Sequence, residues 1–571
     1  MDRLWRVSTP RLSEFIKAYD VRGLVPQQLN DAVAFAIGSA FAQVVARPDG
    51  ATSIVIGHDM RPSSPGLSRS FAAGAAAHGL DVTLIGLCST DGLYYASGAL
   101  DVPGAMFTAS HNPAQYNGIK LCRSGARPVG QDTGLSEIRD LAQALLDSGE
   151  APGPPGTPAV DAPAGSVPPT TAPGVISERD VLADYAQFLR GLVDLRELRP
   201  LTVVVDAGNG MGGHTVPAVL GTQGALPGLP LTVIPLYFEL DGTFPNHEAN
   251  PLEPENLRDL QAAVLAHGAD LGLAFDGDAD RCFVVDERGE PVNPSAITAL
   301  VATREIARER VAGRDATIVY NVISSAAVPE IIVEAGATAV RTRVGHSFIK
   351  GEMARHQAVF GGEHSGHYYF RDFWFADTGM LAAMHVLAAL GEQPRPLSEV
   401  VARFSRYAAS GEINSTVADV RAATADVRAW AQAQDVEFDE LDGMTVTHQG
   451  DLMWWFNLRA SNTEPLLRFN VEASDEATMA RVRDDVLSIV RGEALMTEQT
   501  QSAGAAAPSA PQIEPWLREI LRCPQCRSTL ADGSGPSGPE LHCTNAECRL
   551  AYRIDDGIPV LLVDESRSLA G

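Results

Sequence analysis

The chain has 571 residues, with 44 basic and 71 acidic side chains and a formal net charge of −27. Hydrophobic residues make up 45% and charged residues 20%, which are globular values, and at roughly 150 residues per domain the length predicts about four domains. The acidic balance argues against a nucleic-acid surface or an anionic membrane partner, both of which reward clustered Lys and Arg; no apolar run reaches the roughly 18 residues of a spanning helix, and the N-terminal MDRLWRVSTPRLSEF has no apolar signal core, so a cytoplasmic location is expected.

Only three of the 44 basic residues are lysine: Lys17, Lys120 and Lys350. Where Arg supplies the generic surface cation, the surviving lysines are enriched for places that need a compact ammonium or a proton donor of accessible pKa. Cys88, Cys122 and Cys282 are isolated beside apolar runs and read as buried small hydrophobes.

Along the chain, IVIG at 54–57 and VTLIG at 82–86 flank a helix-like stretch, and VVV at 203–205 and LTVIP at 231–235 flank another. Both first-to-first offsets are 28 residues, from Ile54 to Val82 and from Val203 to Leu231. A shorter copy runs from TIVY at 317–320 to TAVRT at 338–342. These are βαβ signatures and predict three related α/β domains with largely parallel sheets. Residues 401–496 read as a smaller α+β domain. Pro/Ala/Gly-rich stretches at 148–176 and 497–512 read as linkers. The expected division is therefore 10–147, 177–290, 291–400, 401–496 and a C-terminal unit, 513–571.

Four segments carry chemistry. In FTASHNPAQYNGIK (107–120), a strand-like run ends in a turn that presents Ser110, His111 and Asn112, with Lys120 following. A serine presented so can be a nucleophile or phosphate carrier, and Lys120 could return as a general acid or base. In LGLAFDGDADRCFVVD (271–286), Asp276, Asp278 and Asp280 alternate in a turn between strands. Three close carboxylates repel unless a cation neutralises them, and hard oxygen ligands suit Mg²⁺. An EF-hand loop is disfavoured, because Arg281 stands where that loop requires Gly; Arg281 is better placed to hold an anionic substrate. GGEHSGHYYF (361–370) offers Glu363, His364, Ser365 and His367 for sugar hydroxyls, with VGHSFIK (344–350) just upstream. In NLRASNTEPLLRFNVEA (457–473), Arg459, Ser461, Asn462 and Thr463 form a phosphate cradle. DAGNGMGG (206–213) lacks the dinucleotide spacing and reads as a tight strand-to-helix turn.

Taken in order, these segments resemble the α-D-phosphohexomutases, the bacterial phosphomannomutase/phosphoglucomutase branch, over residues 14–495. KAYDVRG (17–23) is similar to that family's N-terminal active-site loop. The resemblance implies four domains around one cleft. It implies Ser110 as the phosphorylated serine, completing a Mg²⁺ site with Asp276, Asp278 and Asp280. It places Arg22, Arg281, His111 and Lys120 around the transferring group, with Lys120 as acid/base. It gives His346, Glu363, Ser365 and His367 to the sugar, and Arg459, Ser461, Asn462 and Thr463 to the phosphate that is not reacting. The implied reaction interconverts mannose 6-phosphate and mannose 1-phosphate through a bound hexose 1,6-bisphosphate; a phosphoglucomutase or dual-specificity enzyme is the alternative. The chain departs from the family at NVISS (321–325), where some members carry a lysine.

At the C-terminus, Cys523 and Cys526 are spaced C-x₂-C, and Cys543 and Cys548 follow as C-x₄-C. Two such knuckles predict a structural Zn²⁺ ribbon, and the segment resembles small zinc-ribbon proteins that activate methyltransferases. Its nine acids against six basic residues over 513–571 point to a protein partner or intramolecular docking rather than nucleic acid. A non-catalytic adapter that presents this ribbon is the reading from another class; such an adapter would be expected to lose Ser110 or a loop aspartate, and all are present.

Overall fold

The computed structural model describes residues 10–17, 19–149, 172–223, 226–450, 452–460, 466–492, 521–535, 538–555, 558–563 and 566–569. The chain forms two compact units, residues 1–494 and 495–571.

Among the described residues the larger unit holds four sheets. In the first, Gly104–Phe107, Ser53–His58, Asp81–Leu87 and Ile176–Glu178 run parallel, and Tyr116–Arg123 and Val21–Leu24 extend the other edge antiparallel. The second is ordered Pro291–Val292, Cys282–Asp286, Leu271–Phe275, Leu201–Asp206, Leu231–Leu236. The third is ordered Thr338–Thr342, Thr317–Asn321, Phe360–Gly362, Tyr368–Phe370, Ala376–Asp377. Each has a βαβ crossover at its parallel end, which gives the three related α/β domains expected. The sheets are mixed rather than largely parallel, because the strands that lead away from the Ser110, aspartate and GEHSGH turns fold back antiparallel on those that lead in. The fourth sheet is wholly antiparallel, Ala408–Thr416, Leu466–Ala473, Trp454–Ala460, Met444–His448, Glu437–Asp439, and packs beneath helices Val420–Gln432 and Glu476–Arg491.

Two expectations shift. Ile176–Glu178 joins the first sheet against Asp81–Leu87, so strand 176–178 straddles the predicted end of the linker and the start of the second domain at 177. The repeat is also not constant: Ile54 pairs with Val82, an offset of 28, but Val203 pairs with Val233 and Thr317 with Thr338. The 497–512 stretch, and residues 150–171 of the other predicted linker, lie outside the described residues. Cys88, Cys122 and Cys282 are buried in the cores.

The smaller unit pairs Leu530–Gly535 with Gly538–Cys543 and then Leu550–Asp555, all antiparallel, over a core of Cys523, Leu530, Leu541, Cys543 and Tyr552.

Candidate active site

Ser110 sits at the turn between strands Gly104–Phe107 and Tyr116–Arg123, buried and with φ +50°. Its hydroxyl donates to Asp276 Oδ2 at 2.7 Å and lies 3.2 Å from His111 Nδ1. The aspartate loop comes down on this turn so closely that a Cβ on Gly277 would stand 2.4 Å from the Ser110 carbonyl oxygen; glycine there is what permits the approach.

Asp276, Asp278 and Asp280 are all buried, with one carboxylate oxygen from each within 4.8 Å of the others. Lys120 Nζ donates to Asp278 at 2.6 Å and Asp280 at 2.5 Å. Thr90 adds a hydroxyl bond to Asp278 at 2.6 Å. Arg281 Nε donates to Asp276 Oδ2 at 2.9 Å, and its Nη2 to His111 Nδ1 at 2.6 Å. The second oxygens of Asp278 and Asp280 are buried with no hydrogen-bond partner among the described residues. Two orphaned carboxylate oxygens facing a third acid are costly, and this donor set fits a hard divalent cation.

The charges follow from burial and neighbours. Burial, with Asp280 and Asp278 beside it, pushes Asp276 up to about 7 despite Arg281 and the Ser110 hydroxyl. Burial would also raise Asp278, but the charge and hydrogen bond of Lys120 and the Thr90 hydroxyl outweigh it and hold that carboxyl far below the usual range. Burial opposes the charge on Lys120, yet Asp278 and Asp280 prevail and raise its pKa. His111 is depressed well below its ordinary value by burial and then by Arg281 and Arg22, so it is neutral, with Nδ1 accepting from Arg281.

Arg22 lies on strand Val21–Leu24, opposite Gly118. It donates to Asp20 at 2.9 Å and to Asn112 Oδ1 at 2.6 Å. The GEHSGH loop meets the aspartate loop through a bridge between Arg281 and His367, and His367 Nε2 is 3.6 Å from Asp280. Ser365 Oγ is 2.9 Å from His367 Nδ1. Glu363 accepts from Asn321 at 3.2 Å, the Gly345 amide at 3.1 Å and the Tyr369 hydroxyl at 2.7 Å. His346 packs edge-on against Tyr19 at 5.1 Å and is pushed down to about 3 by burial, then by Lys350.

Arg459 pairs with Glu412 and Asp442. Glu412 accepts from both Arg459 and Arg468 at 3.1 Å, bridging two arginines that face each other across neighbouring strands. Ser461, Asn462 and Thr463 lie outside the described residues. Of the three lysines, Lys120 faces the acids; Lys350 is buried against Asp377 at 2.6 Å and over the Tyr94 ring at 4.2 Å; Lys17 is exposed, as an ordinary surface cation would be. Sequence reasoning missed Tyr19, whose phenol feels Asp442, Arg343, Glu363 and Arg459, and Thr90. Tyr19 lies within KAYDVRG and could have been singled out there; Thr90 carried no signal.

In the smaller unit, Cys523 and Cys548 Sγ are 3.6 Å apart, Cys526 and Cys543 Sγ 3.3 Å, and all four lie within 4.8 Å of one another. Tetrahedral zinc with Zn–S of about 2.3 Å sets sulfurs about 3.8 Å apart, so this set fits such an ion.

Four family models match, described as phosphoglucomutase/phosphomannomutase α/β/α domains I, II and III over residues 14–147, 183–289 and 293–407, and the C-terminal domain over 412–489. A phosphohexose mutase of Xanthomonas campestris is 40% identical over 483 residues, covering 83% of this chain and 99% of that protein. A phosphomannomutase of Salmonella typhimurium is 39% identical over 473 residues, covering 82% and 97%. The crystal structure of a phosphoglucomutase/phosphomannomutase family protein from Burkholderia thailandensis superposes with a TM-score of 0.70 at 28% identity, covering 84% of this chain and 97% of that one. With the serine turn, acid loop and GEHSGH loop gathered in one unit, the chain belongs to the phosphoglucomutase/phosphomannomutase family and is a phosphohexomutase, an isomerase-type phosphotransferase acting on hexose phosphates.

Proposed function

We propose that the protein interconverts mannose 6-phosphate and mannose 1-phosphate, with Ser110 as phosphoryl carrier and a bound hexose 1,6-bisphosphate as intermediate. The observation that carries this is the Ser110 hydroxyl 2.7 Å from Asp276, within a buried acid trio flanked by Lys120, Arg281 and His111 and next to the GEHSGH loop. Curated relatives from Salmonella typhimurium and Escherichia coli, named phosphomannomutase at 39% and 37% identity, support mannose. The joint family description favours, as second reading, an enzyme that also takes glucose phosphates.

A sugar hydroxyl attacks the phosphoryl group on Ser110, and the Ser110 Oγ–P bond breaks. Lys120, protonated at neutral pH, is the acid/base: its Nζ gives a proton to the departing Ser110 Oγ and takes up the proton of the attacking hydroxyl, so it ends the step protonated as it began. Arg22 and Arg281 hold the phosphoryl oxygens, and Glu363, Ser365, His346 and His367 hold the sugar. After the bisphosphate has turned, Ser110 Oγ takes back the other phosphate. Arg459, Ser461, Asn462 and Thr463 grip the phosphate that is not reacting. Asp276, Asp278, Asp280 and phosphorylated Ser110 would hold Mg²⁺, which would neutralise the acids and stabilise charge on the loose transition state. Cys523, Cys526, Cys543 and Cys548 would hold a structural Zn²⁺ in a unit that serves for docking, either on a partner protein or on the rest of this chain. The proposed location is cytoplasmic. The deciding experiment compares kcat/KM for mannose 1-phosphate, glucose 1-phosphate and glucosamine 1-phosphate: at least a tenfold preference for either of the last two overturns the mannose assignment.

A further inference from the structure

The turn that carries Ser110 is gripped from behind by a fully buried guanidinium. Arg61 follows strand Ser53–His58, and its side chain is 0% exposed. Its Nη2 donates to the carbonyls of Ser110 at 2.9 Å and Asn112 at 2.6 Å; its Nη1 donates to those of Pro113 and Tyr116, each at 3.0 Å. These four carbonyls span the turn from the serine to the start of the next strand. Arg61 is itself fixed by Asp59, which lies 3.2 Å from its Nε, accepts from its backbone amide at 3.0 Å and accepts from Ser64 Oγ at 2.6 Å. Its other face lies over the Phe244 ring of the second domain at 5.1 Å.

Ser110 needs such a grip. Its left-handed φ is unfavourable for a residue with a Cβ and persists only when its surroundings over-determine it. The Ser110 carbonyl is held between the Arg61 fork and the backbone at Gly277. Only a planar guanidinium offers paired donors in fixed directions; an ammonium presents its protons from one atom.

We propose that Arg61 is a positioning residue for phosphoryl transfer: its fork sets the backbone of the Ser110 turn and so fixes Ser110 Oγ against the acid trio. It touches no reacting atom. This rests on the reading of Ser110 as the carrier, and a displacement of about 1 Å at a reacting centre costs about 10²-fold in rate.

The test uses full-length protein labelled with ³²P at Ser110, with transfer to mannose 1-phosphate followed by rapid quench and counted per labelled site. Arg61→Lys keeps the charge opposite Asp59. The expected result is transfer about 10²-fold slower per site, KM within about threefold of wild type, and partial recovery of Arg61→Ala by guanidinium but not by ammonium. Near-wild-type transfer per labelled site in Arg61→Lys overturns the proposal, as does a loss seen only as fewer labelled sites at unchanged rate, which marks a purely structural role. Should both variants fail to fold, spectra of ¹³C,¹⁵N-labelled wild type decide: through-hydrogen-bond couplings from one guanidinium to the carbonyl carbons of Ser110, Asn112, Pro113 and Tyr116 are expected, and their absence overturns the grip. Absence of phosphate on wild-type Ser110 would defeat the carrier reading instead, so the two failures are distinct.

Discussion

Replacing Lys120 by arginine separates charge from proton transfer. Lys120 Nζ lies 2.6 Å from Asp278 and 2.5 Å from Asp280, so removing the charge altogether would strand two buried carboxylates at a cost of about 3–5 kcal/mol and confound any kinetic reading. Arginine keeps the charge, but with a pKa above about 12 it gives up no proton. Against the effect of burial, Asp278 and Asp280 raise the pKa of the wild-type lysine above its ordinary value; Mg²⁺ on those carboxylates would relieve that pull and let the ammonium exchange protons, which a guanidinium does not do. The stabilisation from its ion pairs is therefore fully present below that ordinary value and is lost only as pH rises through the higher folded one, so it does not change between pH 6 and 9. The variant should melt close to wild type and bind substrate with similar KM. Loss of the acid/base should slow transfer from phosphorylated Ser110 by about 10²- to 10⁴-fold, about 2.7–5.4 kcal/mol on the barrier. Rapid-quench single turnovers across pH 6–9 measure this. Transfer within threefold of wild type would refute the role and move it to another group. His111 is a poor replacement, since it is held neutral with Nδ1 accepting from Arg281.

Asp278→Ala should abolish turnover and weaken Mg²⁺ binding at least tenfold by calorimetry, because it removes one ligand and leaves Lys120 to Asp280 alone; unchanged Mg²⁺ affinity would count against the site. Glu305 tests the third domain: burial pushes it up to about 7, against the pull of Arg308, so the fold favours its protonated form and wild-type stability falls as pH climbs from about 4.5 to 7. Glu305→Gln should gain on wild type by about 2 kcal/mol between pH 5 and pH 8 in urea unfolding, and an equal difference at both pH values would contradict this. Treating the protein with a thiol-reactive mercurial should release one equivalent of zinc, and deleting residues 497–571 should leave hexose phosphate turnover within about twofold of wild type; no zinc, or collapse of activity, would overturn the picture of a closed structural site.

Local patterns were legible in the sequence; long-range geometry was not. Ser110, the three aspartates and GEHSGH stood out because turn chemistry and charge repulsion act over a few residues, and the structure does bring Asp276, Arg281 and His367 to one place. Strand Ile176–Glu178 was hidden because its partner lies some ninety residues away and its own composition is unremarkable for a linker. The repeat offset drifted from 28 because register depends on the connecting helix and loop, not on matching apolar runs. Arg61 was invisible for a different reason. Among 41 arginines a buried fork reads like any surface cation, and only its four carbonyl partners distinguish it. The lysine argument worked for Lys120 and Lys350, both withdrawn from solvent against acids, and not for Lys17.

The most direct test of the account is to incubate the full-length protein with ³²P-labelled hexose 1,6-bisphosphate and Mg²⁺, map the label by mass spectrometry, and chase with unlabelled mannose 1-phosphate. The account predicts near-stoichiometric phosphate on Ser110, chased into mannose 6-phosphate within the turnover time, and no label in Ser110→Ala. Label on another residue, or turnover without phosphorylation of Ser110, would contradict it.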